Sequence, residues 1–130
     1  MASFFLDAGG AGLIWIAYTL FFFFIVVAIL LEAGIMLLMK YTTRIKKALI
    51  DSLLVNLASL AIGFILLEAF DNFFGYYTLF SVAVLYTITV LIEFFLLRML
   101  NRQHNDRQTW LVVMVMNLVT YILLYLIGNN

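Results

Sequence analysis

Four polar side chains set in long apolar runs are where this sequence could do chemistry: Glu32, Asn56, Glu93 and Asn117. A carboxyl in such a setting can exchange a proton, hold a cation or accept a hydrogen bond. A carboxamide can both donate and accept. Their spacing sets them at one depth. Glu32 lies 8 residues before Lys40 and Asn56 lies 9 after Lys47; Glu93 lies 9 before Arg102 and Asn117 lies 10 after Arg107. At ~1.5 Å rise per helical residue, each stands roughly 12–15 Å from a basic turn. Acids and amides at one depth on neighbouring helices are placed to meet.

Helical spacing gives each of them companions on one face. Tyr86, Thr89 and Glu93 recur at i, i+3 and i+7; Ser52, Asn56, Ser59 and Gly63 recur at i, i+4, i+7 and i+11. Ala28 precedes Glu32 by one turn, and Asn117 is followed by Thr120, Tyr121 and Tyr125. Small residues along such stripes let helices approach closely, and the hydroxyls and amides bond across the contact. These faces are expected to point inward, because a charge at the bilayer centre costs ~2.5–3.5 kcal/mol on insertion scales. A Glu–Asn pair facing inward is a hydrogen-bonded clasp, worth on average ~0.6 kcal/mol in membranes.

The elements that must carry these residues follow from composition. The chain is 67% hydrophobic and 11% charged, with a mean hydropathy of +1.17, where soluble domains hold roughly 45–50% apolar residues. Several runs reach the ~18 apolar residues that cross a hydrocarbon core. The expected fold is all-α: a single domain over 1–130, a polytopic bundle of four transmembrane helices running up and down. The spans fall near 13–39, 52–70, 78–100 and 110–127, with basic turns at 40–51 and 101–109; Ile45, Leu49 and Ile50 beside Lys46 and Lys47 start the second helix near Thr43, ahead of its span. Residues 1–12 read as a short glycine-rich tail without the basic region of a signal peptide. Asp71, Asn72 and Gly75 supply turn chemistry between Phe73, Phe74, Tyr76 and Tyr77, an aromatic belt at the interface. Asn105 or Asp106 is the expected cap of the last helix. No proline interrupts any span.

Charge placement orients the chain. All seven basic residues, Lys40, Arg44, Lys46, Lys47, Arg98, Arg102 and Arg107, fall in or beside the first and third connections. The positive-inside rule then sets both basic turns in the cytoplasm and both termini outside, in what is expected to be a bacterial inner (plasma) membrane. An offset of 61 residues lays Glu32 on Glu93, Asn56 on Asn117 and Ser59 on Thr120. If this reflects a repeat, it is a parallel repeat of two hairpins, with chance similarity among apolar runs the alternative.

The same residues bound the function. There is no cysteine, so thiol chemistry is excluded, and no HExxH, phosphate loop or GxSxG motif occurs. No metal, cofactor or nucleic acid is expected. His104 reads as a solvated turn residue, Glu68 and Asp71 as a headgroup-level face, and Phe21 to Phe24 as lipid-facing surface. The partners expected are the lipid bilayer and either further copies of the chain or a larger membrane complex.

Three function classes remain. The first is a structural or accessory subunit, not an enzyme, whose helices are locked by buried Glu–Asn pairs. The alternative is a small proton- or cation-coupled transporter or channel, working as a homo-oligomer through Glu32 and Glu93. It expects a water-accessible cavity that reaches the acids from the cytoplasmic side. A lipid-modifying enzyme is the third, without a nucleophile or metal to support it.

Overall fold

The computed structural model describes the backbone of residues 2–69 and 79–128, and the side chains of 12, 14–66, 83–123 and 125–126. Over these residues the only regular elements are helices: α1 (Ala2–Leu38), α2 (Ile45–Ala69), α3 (Leu79–Leu100) and α4 (Asp106–Gly128). Three stretches are long and apolar enough to cross a membrane: Ile14–Leu38, Ile45–Leu66 and Ala83–Leu100. The expected outer turn and aromatic belt fall at 70–78, outside the described residues. The side chain of Glu68 lies outside them too.

One boundary differs from expectation and one agrees with it. α1 begins at Ala2, so the glycine-rich segment is a helical extension and not a tail. Each glycine costs a helix only ~1 kcal/mol relative to alanine, and the apolar residues among them continue the helix. α2 begins at Ile45, close to the expected start near Thr43, so Lys46, Lys47 and Asp51 belong to its first turns.

The connections show why the helices stop where they do. Lys40 has a positive φ of 54°. Tyr41 N–H then returns to the Met36 carbonyl at 2.9 Å, and Lys40 N–H to the Leu37 carbonyl at 3.1 Å. These are the paired bonds of a Schellman turn, which satisfy carbonyls that the helix end leaves open. α4 starts on Asn105, whose side-chain oxygen accepts from the Gln108 N–H at 2.7 Å. Of the two expected caps, Asn105 is the one used.

α1 packs on α2, α2 on α3, α3 on α4 and α4 on α1, which closes a four-membered ring. Cross-helix bonds fix the direction of each pair. Between α2 and α3, Asp51 meets Asn101 whereas Ser59 meets Glu93, so residue numbers rise along one helix as they fall along the other. Both basic connections therefore lie at one end. There the Tyr41 and His104 rings stack with centroids 4.2 Å apart, and Phe94 stacks on Trp110 at 4.1 Å.

The apolar core sits just below those connections. Met36, Val55, Leu97, Val112, Val113 and Met116 have no exposed surface at all. The remaining faces are apolar and open: Trp15, Phe22 and Phe95 are each more than half exposed. Exposed hydroxyls on these faces are satisfied by their own helix, Thr19 on the Trp15 carbonyl and Thr87 on the Ala83 carbonyl, each at 2.8 Å. That is how a hydroxyl is accommodated where no water is available to pair with it.

Candidate functional site

Beneath the apolar core lies a layer of acids and amides. Glu32 is 1% exposed and Glu93 is 2% exposed. The Asn56 carboxamide donates to Glu32 Oε2 within the α1–α2 hairpin, and the Asn117 carboxamide donates to Glu93 Oε2 within the α3–α4 hairpin. Each Asn also donates to the carbonyl one turn back on its own helix, Ser52 at 2.9 Å and Val113 at 3.0 Å. That second bond holds the amide in the orientation that faces the acid.

Hydroxyls complete the layer. Ser52 Oγ lies 3.0 Å from Glu32 Oε2 and 3.1 Å from the Ile29 carbonyl; its single proton serves one of them at a time. Ser59 Oγ donates to Glu93 Oε1 at 3.1 Å, from the other hairpin. Thr120 occupies the matching place next to Glu32. Its buried hydroxyl interacts with the Glu32 carboxyl, though in no well-formed hydrogen bond. The offset of 61 residues thus relates the two amide bonds, and it holds more loosely at Thr120.

The acids lie close enough for their charges to repel if both ionise. Both line a single cavity of about 470 Å³, with Asn56, Ser59, Asn117 and Thr120 beside them. Its walls are largely apolar, including Phe24, Ile25, Leu60 and Tyr121. Among the described residues, no Lys, Arg or His lines it. The cavity runs from the acids past Ala28 and Thr89 toward Phe21, Gly63 and Phe64, away from the basic connections. The apolar core closes the opposite side. Access from the basic side, which the transport reading expected, is therefore not the arrangement found.

Of the polar residues singled out on the apolar runs, Glu32, Asn56, Ser59, Thr89, Glu93, Asn117 and Thr120 line this cavity. Tyr86 does not. Its ring packs edge-on against Tyr121, with centroids 5.0 Å apart, so it supports the wall from behind. Ser52, read only as part of a small-residue stripe, is a direct donor to an acid.

A second polar cluster lies at the basic end, and sequence reasoning missed it. Asp51 is 3% exposed. It accepts from Lys47 Nζ at 2.9 Å and from Asn101 Nδ2 at 2.8 Å. Asn101 is fully buried, and its own oxygen has no partner among the described residues. Beside them the Tyr41 hydroxyl meets Thr109 Oγ1 at 3.0 Å. Burial pushes the Tyr41 phenol above its ordinary value of 10.0; the Thr109 bond opposes this and the Asp51 charge adds to it.

The other basic residues divide by exposure. Lys40, Arg44, Lys46, Arg102 and Arg107 are exposed, while Arg98 is half-buried and pairs with Asp106 at 2.5 Å. His104 is not the solvated residue expected: it is half-buried, stacked on Tyr41 and 3.0 Å from Gln108. Among the described residues no cluster of His, Cys, Asp and Glu is suited to a metal ion. Compared with models of known families, with curated proteins and with solved structures, the chain matches none.

Proposed function

We propose that this chain is a small integral membrane protein of the binding and transport class, which exchanges a proton or cation through the Glu32 and Glu93 pair. In this reading α4 is the fourth crossing, both termini lie outside, and the basic connections lie in the cytoplasm. The seven basic residues at one end of the bundle support that orientation. A bacterial inner membrane is the proposed location, and a homo-oligomer the proposed working form.

One observation carries the reading. Two buried acids open onto the same cavity, and no basic side chain among the described residues lines it. Intramembrane acids mark proton and ion pathways by default, and here neutrality must come from a proton or from whatever enters the cavity. The test is reconstitution into liposomes carrying an internal pH dye. The wild type is expected to move protons or a coupled cation, and the double variant Glu32→Gln, Glu93→Gln to lose that flux. Equal flux in the two would remove the proposal.

A specific observation also favours a structural or accessory role. Each acid already accepts from an amide and faces a hydroxyl, as a clasp between helices should. On that reading the double variant folds and assembles as before, and neither protein moves protons.

A further inference from the structure

The cavity floor has a spare-acceptor pattern that specifies more than a positive charge. A carboxylate offers roughly four lone-pair sites. Glu32 has two donors on Oε2, Ser52 and Asn56, while Glu93 has one on each oxygen, Ser59 and Asn117. Both acids keep acceptor capacity after these bonds. The Thr120 hydroxyl, buried beside Glu32 and facing the same cavity, interacts with that carboxyl in no well-formed hydrogen bond, and its oxygen keeps lone pairs to offer. Three acceptors thus converge at the floor, where a group that can donate to them is favoured over one that cannot.

The walls and the mouth describe the rest of the occupant. Above the floor the cavity is lined by Phe24, Ile25, Leu60 and Tyr121, a surface for a hydrocarbon or aromatic body. Its volume of about 470 Å³ falls within the ~300–1,000 Å³ of ordinary small-molecule sites. Its far end reaches Phe21 on α1 and Phe64 on α2, both exposed on the apolar outer surface. Gly63 lies between them, and a Cβ added there would meet nothing within 4 Å.

We propose that this cavity binds a primary amine on an apolar body, which enters sideways from the bilayer past Phe21, Gly63 and Phe64. An ammonium group carries three N–H donors and no acceptor, which matches Glu32, Glu93 and Thr120. An anionic headgroup would meet two acids and no base. A quaternary ammonium would match the charge but donate no hydrogen bond to any of the three. This inference rests on the reading of the acids as an exchanging pair, and it names the partner of that exchange.

The test is binding to the protein in lipid nanodiscs, with protein-free discs as the reference for partitioning. The probes are dodecylamine, dodecyltrimethylammonium and dodecanoate. Dodecylamine is expected to bind saturably, the quaternary probe about tenfold more weakly or worse, and dodecanoate not at all. Thr120→Val should weaken the primary amine severalfold and leave the quaternary probe unchanged. Gly63→Leu, which fills open space, should narrow the mouth and slow amine binding in a protein that folds normally. Equal binding of the amine and the quaternary probe, or binding of dodecanoate, would overturn the proposal. So would a Thr120→Val variant that binds both cations as the wild type does. Proton flux that depends on Glu32 and Glu93 without any amine binding would defeat the ligand and leave the exchanging pair standing; amine binding without flux would do the reverse.

Discussion

Asn101, one residue past the end of α3, donates to Asp51 in the second turn of α2 at 2.8 Å, and this bond joins the two hairpins at their basic ends. Asp51 is held on a second side by Lys47, at 2.9 Å. Replacing Asp51 with alanine would leave the fully buried Asn101 amide with one donor on the Leu97 carbonyl and the other unpaired. A buried group left without its partner costs ~1–3 kcal/mol. Asp51→Ala is therefore expected to lower the midpoint of thermal unfolding in detergent by several degrees. Lys47→Ala should lower it less, because Lys47 is a third exposed and an exposed pair is worth little. Equal losses would show that Asp51 stabilises the bundle through Lys47, within α2, and not through the Asn101 amide.

The Tyr41 phenol, raised above 10.0 chiefly by its burial, gives the bundle an alkaline limit. Between the unfolded value and the raised folded one, the folded chain keeps a proton that the unfolded chain has lost. Stability therefore holds below pH ~10 and falls as the pH rises through the folded value. Tyr41→Phe removes this dependence, and also the bond to Thr109, at a cost of ~0.5–1.5 kcal/mol near neutrality. Unfolding midpoints from pH 8 to pH 11.5 should thus fall less steeply in Tyr41→Phe than in the wild type. A parallel fall in both would place the alkaline limit elsewhere.

Lys40 occupies a left-handed position that glycine fills without steric cost. Its side chain is exposed and forms no bond that would be lost. Lys40→Gly is expected to stabilise the fold by ~0.5–1 kcal/mol. A β-branched residue there is a true outlier, and Lys40→Val should destabilise by a similar amount or more. The two variants moving in the same direction in a denaturant titration would contradict the Schellman geometry.

The acid layer was legible in the sequence and the Asp51–Asn101 cluster was not, for one physical reason. Glu32 or Asn117 within an apolar run has no water nearby, so it must find a partner, and depth counted from the basic turns locates that partner. Asp51 and Asn101 stand among lysines, arginines and other polar residues, where solvation is the ordinary expectation. Only the approach of α2 to the end of α3 buries them. Composition misled at Gly9, Gly10 and Gly12, which lie inside α1. Periodicity grouped Tyr86 with Glu93 correctly by face, yet Tyr86 meets Tyr121 instead of the acids. The cavity itself has no signature in residue type, because it is the space that four helices leave where they diverge below a tightly packed core.

The two hydroxyls related by the 61-residue offset should answer differently to removal. Ser59 donates to Glu93 across the hairpins at 3.1 Å, so Ser59→Ala loses a bond and leaves a buried carboxyl with one donor fewer. Cross-helix bonds of this kind in membranes are worth ~0.6 kcal/mol on average and at most ~1.7, and the loss should fall in that range. Thr120 has the same position relative to Glu32, but its hydroxyl meets that carboxyl in no well-formed hydrogen bond. Thr120→Val keeps the shape and gives up only that weak contact, so its effect should be close to zero. Unfolding in graded SDS, without any amine present, is the measurement. A loss of stability in Thr120→Val as large as that in Ser59→Ala would mean that Thr120 bonds to Glu32 as Ser59 does to Glu93. The acid layer would then be symmetric, with Thr120 held to the acid and not turned to a ligand.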